Sequence, residues 1–274
     1  MPPDDPRRHR RVQRPEPITS AGNQVVRLLR SLERRKGREA TGQFVAEGER
    51  VVADAIVGGV QPHAIVVRDG YVPSSRVLAD SLANASDRLR VLETGLFDTV
   101  VSTIHSQGIL AILPLPERLA LPEDASLVVL LDGIRDPGNM GTLLRTSAAA
   151  GAGAVVIGAG SVDVYNAKVV RSAMGAHFRV PIIPIDAVDE ARLAAFPLRA
   201  VAEADAEATY DRLDWRQPAL LIVGSEANGP GAAGRALANT AVAIPMAAGV
   251  ESLNAAVAGA VILFEISRQR RVGP

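Results

Sequence analysis

Leu131-Asp132-Gly133-Ile134-Arg135-Asp136-Pro137-Gly138-Asn139-Met140-Gly141-Thr142-Leu143-Leu144-Arg145-Thr146 is the stretch on which the reading of this chain turns. Before it runs an unbroken apolar segment, residues 126–131, of the kind a parallel strand buried on both faces requires. After it a helical pattern is expected over residues 142–150. Ligands of parallel α/β proteins gather at the carboxyl edge of the sheet, where the free amides opening a helix favour an anion. Taken alone, the stretch reads equally as a plain strand-to-helix connection with Asp136 and Pro137 as turn formers.

The same alternation continues outward. Downstream, strands are expected at residues 154–157, 181–185, 198–202, 219–223 and 240–244, and helices at 167–173, 188–196 and 253–268. Such alternation calls for an α/β fold with a parallel sheet covered on both faces. Upstream, residues 18–113 read as a smaller α/β unit, with an amphipathic helix over 23–39, strands at 44–48, 64–67, 89–92 and 108–113, and helices at 49–57 and 75–83. Three prolines and three acids mark residues 114–125 as a linker, leaving 126–274 as the second domain and 1–17 as a disordered basic tail.

Two further loops carry chemistry. Gly224-Ser225-Glu226-Ala227-Asn228-Gly229-Pro230-Gly231 leaves a buried strand through glycines that let backbone approach a ligand closely; Glu226 accepts a hydrogen bond there or caps the next segment. Ile244-Pro245-Met246 ends another strand and leads to Ser252-Leu253-Asn254, with Ser252 in an N-cap position for the last helix. Each loop lies after a strand and before a helix of one sheet. A dinucleotide fingerprint is excluded, because Gly151-x-Gly153 and Gly158-x-Gly160 lack the third glycine, and a phosphate loop is excluded because no G-K-[ST] occurs.

The N-x-G-x-x-x-R-T pattern at Asn139, Gly141, Arg145 and Thr146, the Gly224-Ser225-Glu226 segment, and Ile244-Pro245-Met246 followed by Ser252-Leu253-Asn254 resemble the three ordered motifs of the SpoU/TrmH ribose methyltransferases. The resemblance is close over residues 126–270. It extends more loosely to Phe44-Val45-Ala46-Glu47-Gly48-Glu49 and Ser106-Gln107-Gly108-Ile109-Leu110-Ala111, which resemble that family's ribosomal-protein-like N-terminal RNA-binding domain.

The resemblance implies a C-terminal domain with a deep trefoil knot, an exception to the rule that chains avoid knots. It implies S-adenosylmethionine held through main-chain groups at Gly224, Ile244, Met246 and Leu253, and a methyl group delivered to a ribose 2′-hydroxyl. Arg145 would act on that hydroxyl, with Asn139, Glu226, Ser252 and Asn254 shaping the site. A guanidinium is a reluctant proton acceptor, so orienting the ribose or a phosphate is the preferred role. Homodimerisation through the C-terminal domain is implied, with part of each site drawn from the partner. Large-subunit (23S) ribosomal RNA is the implied substrate. A transfer RNA 2′-O-methyltransferase and a catalytically inactive knotted assembly factor are the alternatives.

Composition bounds the rest. The chain has 274 residues, no cysteine and four scattered histidines, so disulfides, thiolate chemistry and a metal centre are not expected. The longest apolar run, residues 255–264, is too short to span a bilayer, and no apolar segment follows the charged N-terminus as a secretory signal requires; a cytoplasmic protein is expected. Formal net charge is zero, yet residues 1–38 hold ten Arg and one Lys against four acids. Arg27, Arg30, Arg34, Arg35 and Arg38 on the first helix are candidates for RNA phosphate, a solvated helix face being the other reading. Arg171, in the segment 168–176 that also resembles the family, is a further phosphate candidate or a plain surface charge.

Overall fold

In the computed structural model, described for residues 15–103, 105–117, 119–225, 229–250 and 252–272, the chain builds two sheets. Most of the basic tail, up to residue 14, lies outside the described residues.

The first sheet has four strands, β1 (Gln43–Glu47), β2 (Ala64–Arg68), β3 (Leu89–Leu92) and β4 (Ile109–Pro114), in the order β1-β4-β2-β3. β4 runs antiparallel to both β1 and β2, while β2 and β3 are parallel. Successive side chains alternate faces. Ile65, Val67, Ile109, Ala111 and Leu113 pack with Val51 and Val52 of α3 (Glu49–Val57) and Leu78 of α4 (Arg76–Asn84). Ala64, Val66, Leu110 and Ile112 face Val26 and Leu29 of α1 (Gln24–Leu32) and Phe97 of α5 (Thr94–Asp98).

The helix expected over residues 23–39 is two helices, α1 and α2 (Arg35–Thr41). Arg34 takes an extended conformation between them. At Gly37 an added Cβ would lie 1.9 Å from the Ser31 carbonyl oxygen, so only glycine lets the second helix fold back this tightly. Arg38 then reaches the open end of α1, donating through Nη1 to the carbonyls of Leu32 (2.6 Å) and Glu33 (3.1 Å).

The second sheet is wholly parallel, with strands β5 (Leu127–Asp132), β6 (Ala154–Ile157), β7 (Ile182–Pro184), β8 (Leu198–Ala202), β9 (Ala219–Gly224) and β10 (Thr240–Val242) in the order β10-β8-β9-β5-β6-β7. The chain moves outward from β5 through β7 and returns on the other side at β8. Leu127, Val129, Leu131, Leu221 and Val223 meet α6 (Pro137–Ala150), α7 (Ala167–Ser172) and α10 (Ala255–Arg271). Val128, Leu130, Leu220 and Ile222 meet Leu193 of α8 (Glu190–Ala194) and Leu237 of α9 (Ala232–Leu237).

α6 begins five residues before the expected start. Asp136 caps it, accepting from the amide of Asn139 at 2.8 Å, and Pro137 occupies the first turn, where no amide partner is needed. α10 begins at Ala255, and its cap is Asn254 in place of the expected Ser252: Asn254 Oδ1 accepts from the amides of Ala256 (2.9 Å) and Val257 (3.2 Å).

Candidate active site at the carboxyl edge of the parallel sheet

The carboxyl ends of β8, β9 and β10 and the start of α10 enclose a cleft of about 290 Å³. Gly224, Ile244, Met246, Ser252 and Leu253 line it together, as do Val223, Ser225 and Gly229. Thus the second and third loops meet in one place, as a sheet whose ligand sits beyond its carboxyl edge demands.

Gly224 is irreplaceable in shape. A Cβ there would lie 1.9 Å from Pro230 N and 2.1 Å from Gly229 C, so the strand end and the returning loop touch backbone to backbone. Asp132, buried at the end of the neighbouring β5, holds that loop by accepting from the Gly231 amide at 2.7 Å. An added Cβ on Gly158 or Gly234 would sit 2.3 or 2.6 Å from the same carboxylate, so glycines make the room it occupies.

Asn139 and Arg145 do not line the cleft; both stand on α6. Asn139 is joined to it by a hydrogen bond from Asn254 Nδ2 to Asn139 Oδ1 (3.0 Å). One side chain therefore caps α10 with its oxygen and ties α6 to α10 with its nitrogen. Arg145 is exposed one and a half turns further along α6. Glu226 lies outside the described residues.

Three residues on the cleft escaped the sequence reading. Glu203 and Asp205 follow β8, and Arg235 of α9 pairs with Glu203 at 3.2 Å. No motif marks them; the place of β8 beside β9 brings its loop to the same edge as the three loops singled out.

The basic candidates divide. Arg27, Arg30, Arg34 and Arg35 are exposed, although Arg35 is engaged by Glu39 at 2.7 Å. Arg38 is not a phosphate ligand. It is 4% exposed and pairs with Asp163 Oδ2 at 2.5 Å, in addition to its two carbonyls, because the turn between α1 and α2 folds it inward against the second sheet's loops. Arg171 is partly buried and donates to Ser102 Oγ at 2.8 Å, 3.8 Å from the Glu47 carboxylate.

The cleft suits a small, partly apolar cofactor with a positive centre. Its lining mixes apolar side chains (Val223, Ile244, Leu253, Ile262) with backbone at Gly224 and Gly229, the paired Glu203 and Arg235, and one further carboxylate, Asp205. Among the described residues no cluster of three His, Asp or Glu side chains could hold a metal, and no helix is long and apolar enough to cross a membrane.

The SpoU rRNA Methylase family model matches residues 126–264, and a model of the MRM3-like substrate binding domain matches residues 23–111. The chain is similar to the 23S rRNA (guanosine(2553)-2′-O)-methyltransferase RlmP of Bacillus subtilis, 34% identical and covering 91% of this chain and 98% of that protein. It is 30% identical to the 23S rRNA (uridine(2479)-2′-O)-methyltransferase of Streptomyces viridochromogenes, covering 93% of each. Among solved structures, the SpoU methyltransferase AviRb of Streptomyces viridochromogenes in complex with AdoMet superposes with a TM-score of 0.79 at 26% identity, over 92% of this chain and all of that one.

Proposed function

The chain belongs to the SpoU rRNA Methylase family, and from that premise we propose that it methylates a ribose 2′-hydroxyl of 23S ribosomal RNA, in the cytoplasm, with S-adenosylmethionine bound in the cleft beyond β8, β9 and β10. The observation that carries the site assignment is the convergence of Gly224, Ile244, Met246, Ser252 and Leu253 on one cleft, tied by Asn254 to the helix that bears Arg145. When bound, S-adenosylmethionine supplies an electrophilic methyl group for in-line transfer to oxygen.

The protein's task is then largely positioning, since the ribose oxygen must come to about 3 Å from the methyl carbon in good alignment. Backbone at Gly224 and the apolar Ile244, Met246 and Leu253 would seat the cofactor, and Asp205 favours its positive charge, Glu203 being paired with Arg235. Arg145, exposed on α6 and without a hydrogen-bond or ion-pair partner among the described residues, orients the ribose or its phosphate. Asn139, Glu226, Ser252 and Asn254 shape the space between. Exposed Arg27, Arg30, Arg34 and Arg35 serve the RNA backbone.

We propose that residues 18–113 act as the RNA-binding domain, 114–125 as a linker and 126–274 as the catalytic domain, with the trefoil knot formed where the loops after β9 and β10 cross. A homodimer through the catalytic domain is supported by the outer face of α10, where Val257 and Phe264 are about half exposed seven residues apart. Phe264→Glu should sediment as a monomer where the parent sediments as a dimer.

Mapping of 2′-O-methyl groups in ribosomal and transfer RNA, with and without the gene, tests the function. One 23S site should vanish without the gene and return with the intact gene but not with Arg145→Ala. Loss of a transfer RNA site in its place would refute the substrate, and full restoration by Arg145→Ala would refute the role of that arginine.

A further inference from the structure

A second cleft, of about 340 Å³, opens where the two sheets' layers meet. One wall is the end of β1 and the start of α3, with Glu47, Arg50 and Val51; another is the segment before β4, with Gln107; the third is the end of α7, with Arg171 and Met174. Its walls are pinned. Glu47, 6% exposed, accepts from the amide and hydroxyl of Ser102 and from the hydroxyl of Thr103, and Arg171 closes the circuit through Ser102. Burial by itself would raise the Glu47 carboxyl, but the Thr103 and Ser102 hydrogen bonds outweigh it and hold it below the ordinary carboxylate range.

Met174 is the feature that needs explaining. Among the described residues it alone takes a positive φ (47°) without being glycine, and its thioether side chain is 39% exposed. The following Gly175 has φ 83°, and a Cβ there would strike the Asp54 carboxylate of α3 at 2.4 Å. Asp54 is itself held by Arg50 (3.1 Å) and Arg179 (3.0 Å). Packing between the two halves thus enforces a left-handed turn that presents an apolar, polarizable side chain to solvent. Strain of this kind survives only where surroundings over-determine it, and it concentrates where ligands are gripped.

The turn also adjoins the active site. Ser172, two residues earlier, donates to the Gly138 carbonyl at 3.2 Å and fills the space a Cβ on Gly141 would need. Met174 is therefore a short step from the turn of α6 that bears Asn139. On the opposite wall, Gln107 Oε1 accepts from the Glu49 amide at 2.9 Å, which leaves the Gln107 amide nitrogen as the group offered to a ligand. Arg50, largely exposed although paired with Asp54, and Arg171, tied to Glu47 through Ser102, are the two arginines of the lining.

We propose that this seam cleft takes one unpaired nucleotide of the RNA, a neighbour of the methylated one, with its base against the Met174 thioether, a base carbonyl on the Gln107 amide and its phosphate at Arg50 and Arg171. The inference rests on the RNA-methyltransferase reading above. Single-stranded RNA is recognised by bases splayed onto aromatic side chains or guanidinium planes, and this chain, with 3% Phe, Trp and Tyr, has few aromatic platforms to offer. Methionine sulfur against an aromatic ring supplies the same kind of contact.

The test uses the full chain with transcripts of 23S ribosomal RNA and of transfer RNA, each carrying 4-thiouridine. Met174→Gly suits the left-handed backbone, and Gln107→Ala changes an exposed side chain whose bond to the Glu49 amide lies at the surface, where water takes its place, so neither should impair folding. Each variant should raise the KM for RNA by up to about tenfold, with kcat and the KM for S-adenosylmethionine unchanged. Ultraviolet crosslinks from the substrate transcript should fall within residues 47–51, 99–108 or 168–179. Crosslinks confined to other peptides, or a KM for RNA within twofold of the parent in both variants, would overturn the cleft. Methylation of transfer RNA alone would overturn the ribosomal substrate, while crosslinks within those three segments would still support the cleft.

Discussion

At the scale of single residues, the cleft proposed for the cofactor depends on the absence of one methyl group and the presence of one carboxylate. The atoms a Cβ on Gly224 would strike are main-chain atoms of Gly229 and Pro230, which cannot rotate aside as a side chain could. Gly224→Ala must therefore part the end of β9 from the loop that returns over it. Affinity for S-adenosylmethionine, measured by calorimetry, should fall at least tenfold; a value within twofold of the parent would show that the loop yields freely. Asp132→Ala removes the acceptor for the Gly231 amide without touching the cleft wall. A lost buried hydrogen bond of this type costs about 1–3 kcal/mol, readable as a lower urea midpoint.

Among the elements, α10 and α6 act as one unit because Asn254 serves both. Gly259 brings the helices together: a Cβ there would lie 2.5 Å from Leu143 Cδ2. Asn254→Asp retains an oxygen for the amides of Ala256 and Val257 but loses the nitrogen that donates to Asn139; Asn254→Ala loses both. The aspartate should keep the parent melting temperature while kcat drops, and the alanine should also lose about 1 kcal/mol of stability for the missing cap. Equal kcat in parent and aspartate variant would sever Asn139 from the reaction.

The elements also show what could be read in advance. α3, β6 and β8 match residue for residue, because their apolar or β-branched runs end at Gly, Pro or polar punctuation. The start of α6 was hidden by Gly138 and Gly141, weak helix formers tolerated because Asp136 caps the turn and Ser172 fills the space beside Gly141. The break between α1 and α2 needs Gly37 for its tight fold-back, and the turn is held by Arg38 meeting Asp163, 125 positions away, which no local window contains. Gly224, Ile244, Met246 and Leu253 could be grouped by motif order, whereas Glu203 and Asp205 join them only through the return of β8 to the far side of β9.

Across the whole molecule, the two halves meet at a polar and aromatic seam whose stability should depend on pH. Phe44 of β1 packs on Tyr165 at 5.0 Å between ring centroids, and Tyr165 on His177 at 5.5 Å. His177 Nε2 donates to the Val164 carbonyl at 2.7 Å, while Nδ1 is sealed from solvent with no partner among the described residues. Burial pushes the imidazole down to about 4 from 6.5, against the opposing pull of the Val164 carbonyl and the Asp163 charge. A histidine whose pKa is depressed on folding binds its proton first in the unfolded chain. Its stabilising share is whole above pH 6.5, shrinks as the pH falls from 6.5 to 4, and changes no further below that. Urea unfolding at pH 5, where ordinary carboxylates are still mostly ionised, should therefore find the protein about 1–2 kcal/mol less stable than at pH 7.5. His177→Phe keeps an aromatic ring in the trio and removes the titrating group, so it should flatten that slope. A slope unchanged by the substitution would move the acid sensitivity away from the seam. Because the same seam carries the Arg38–Asp163 pair and the walls around Met174, a protein weakened there by acid should lose affinity for RNA before it loses affinity for S-adenosylmethionine.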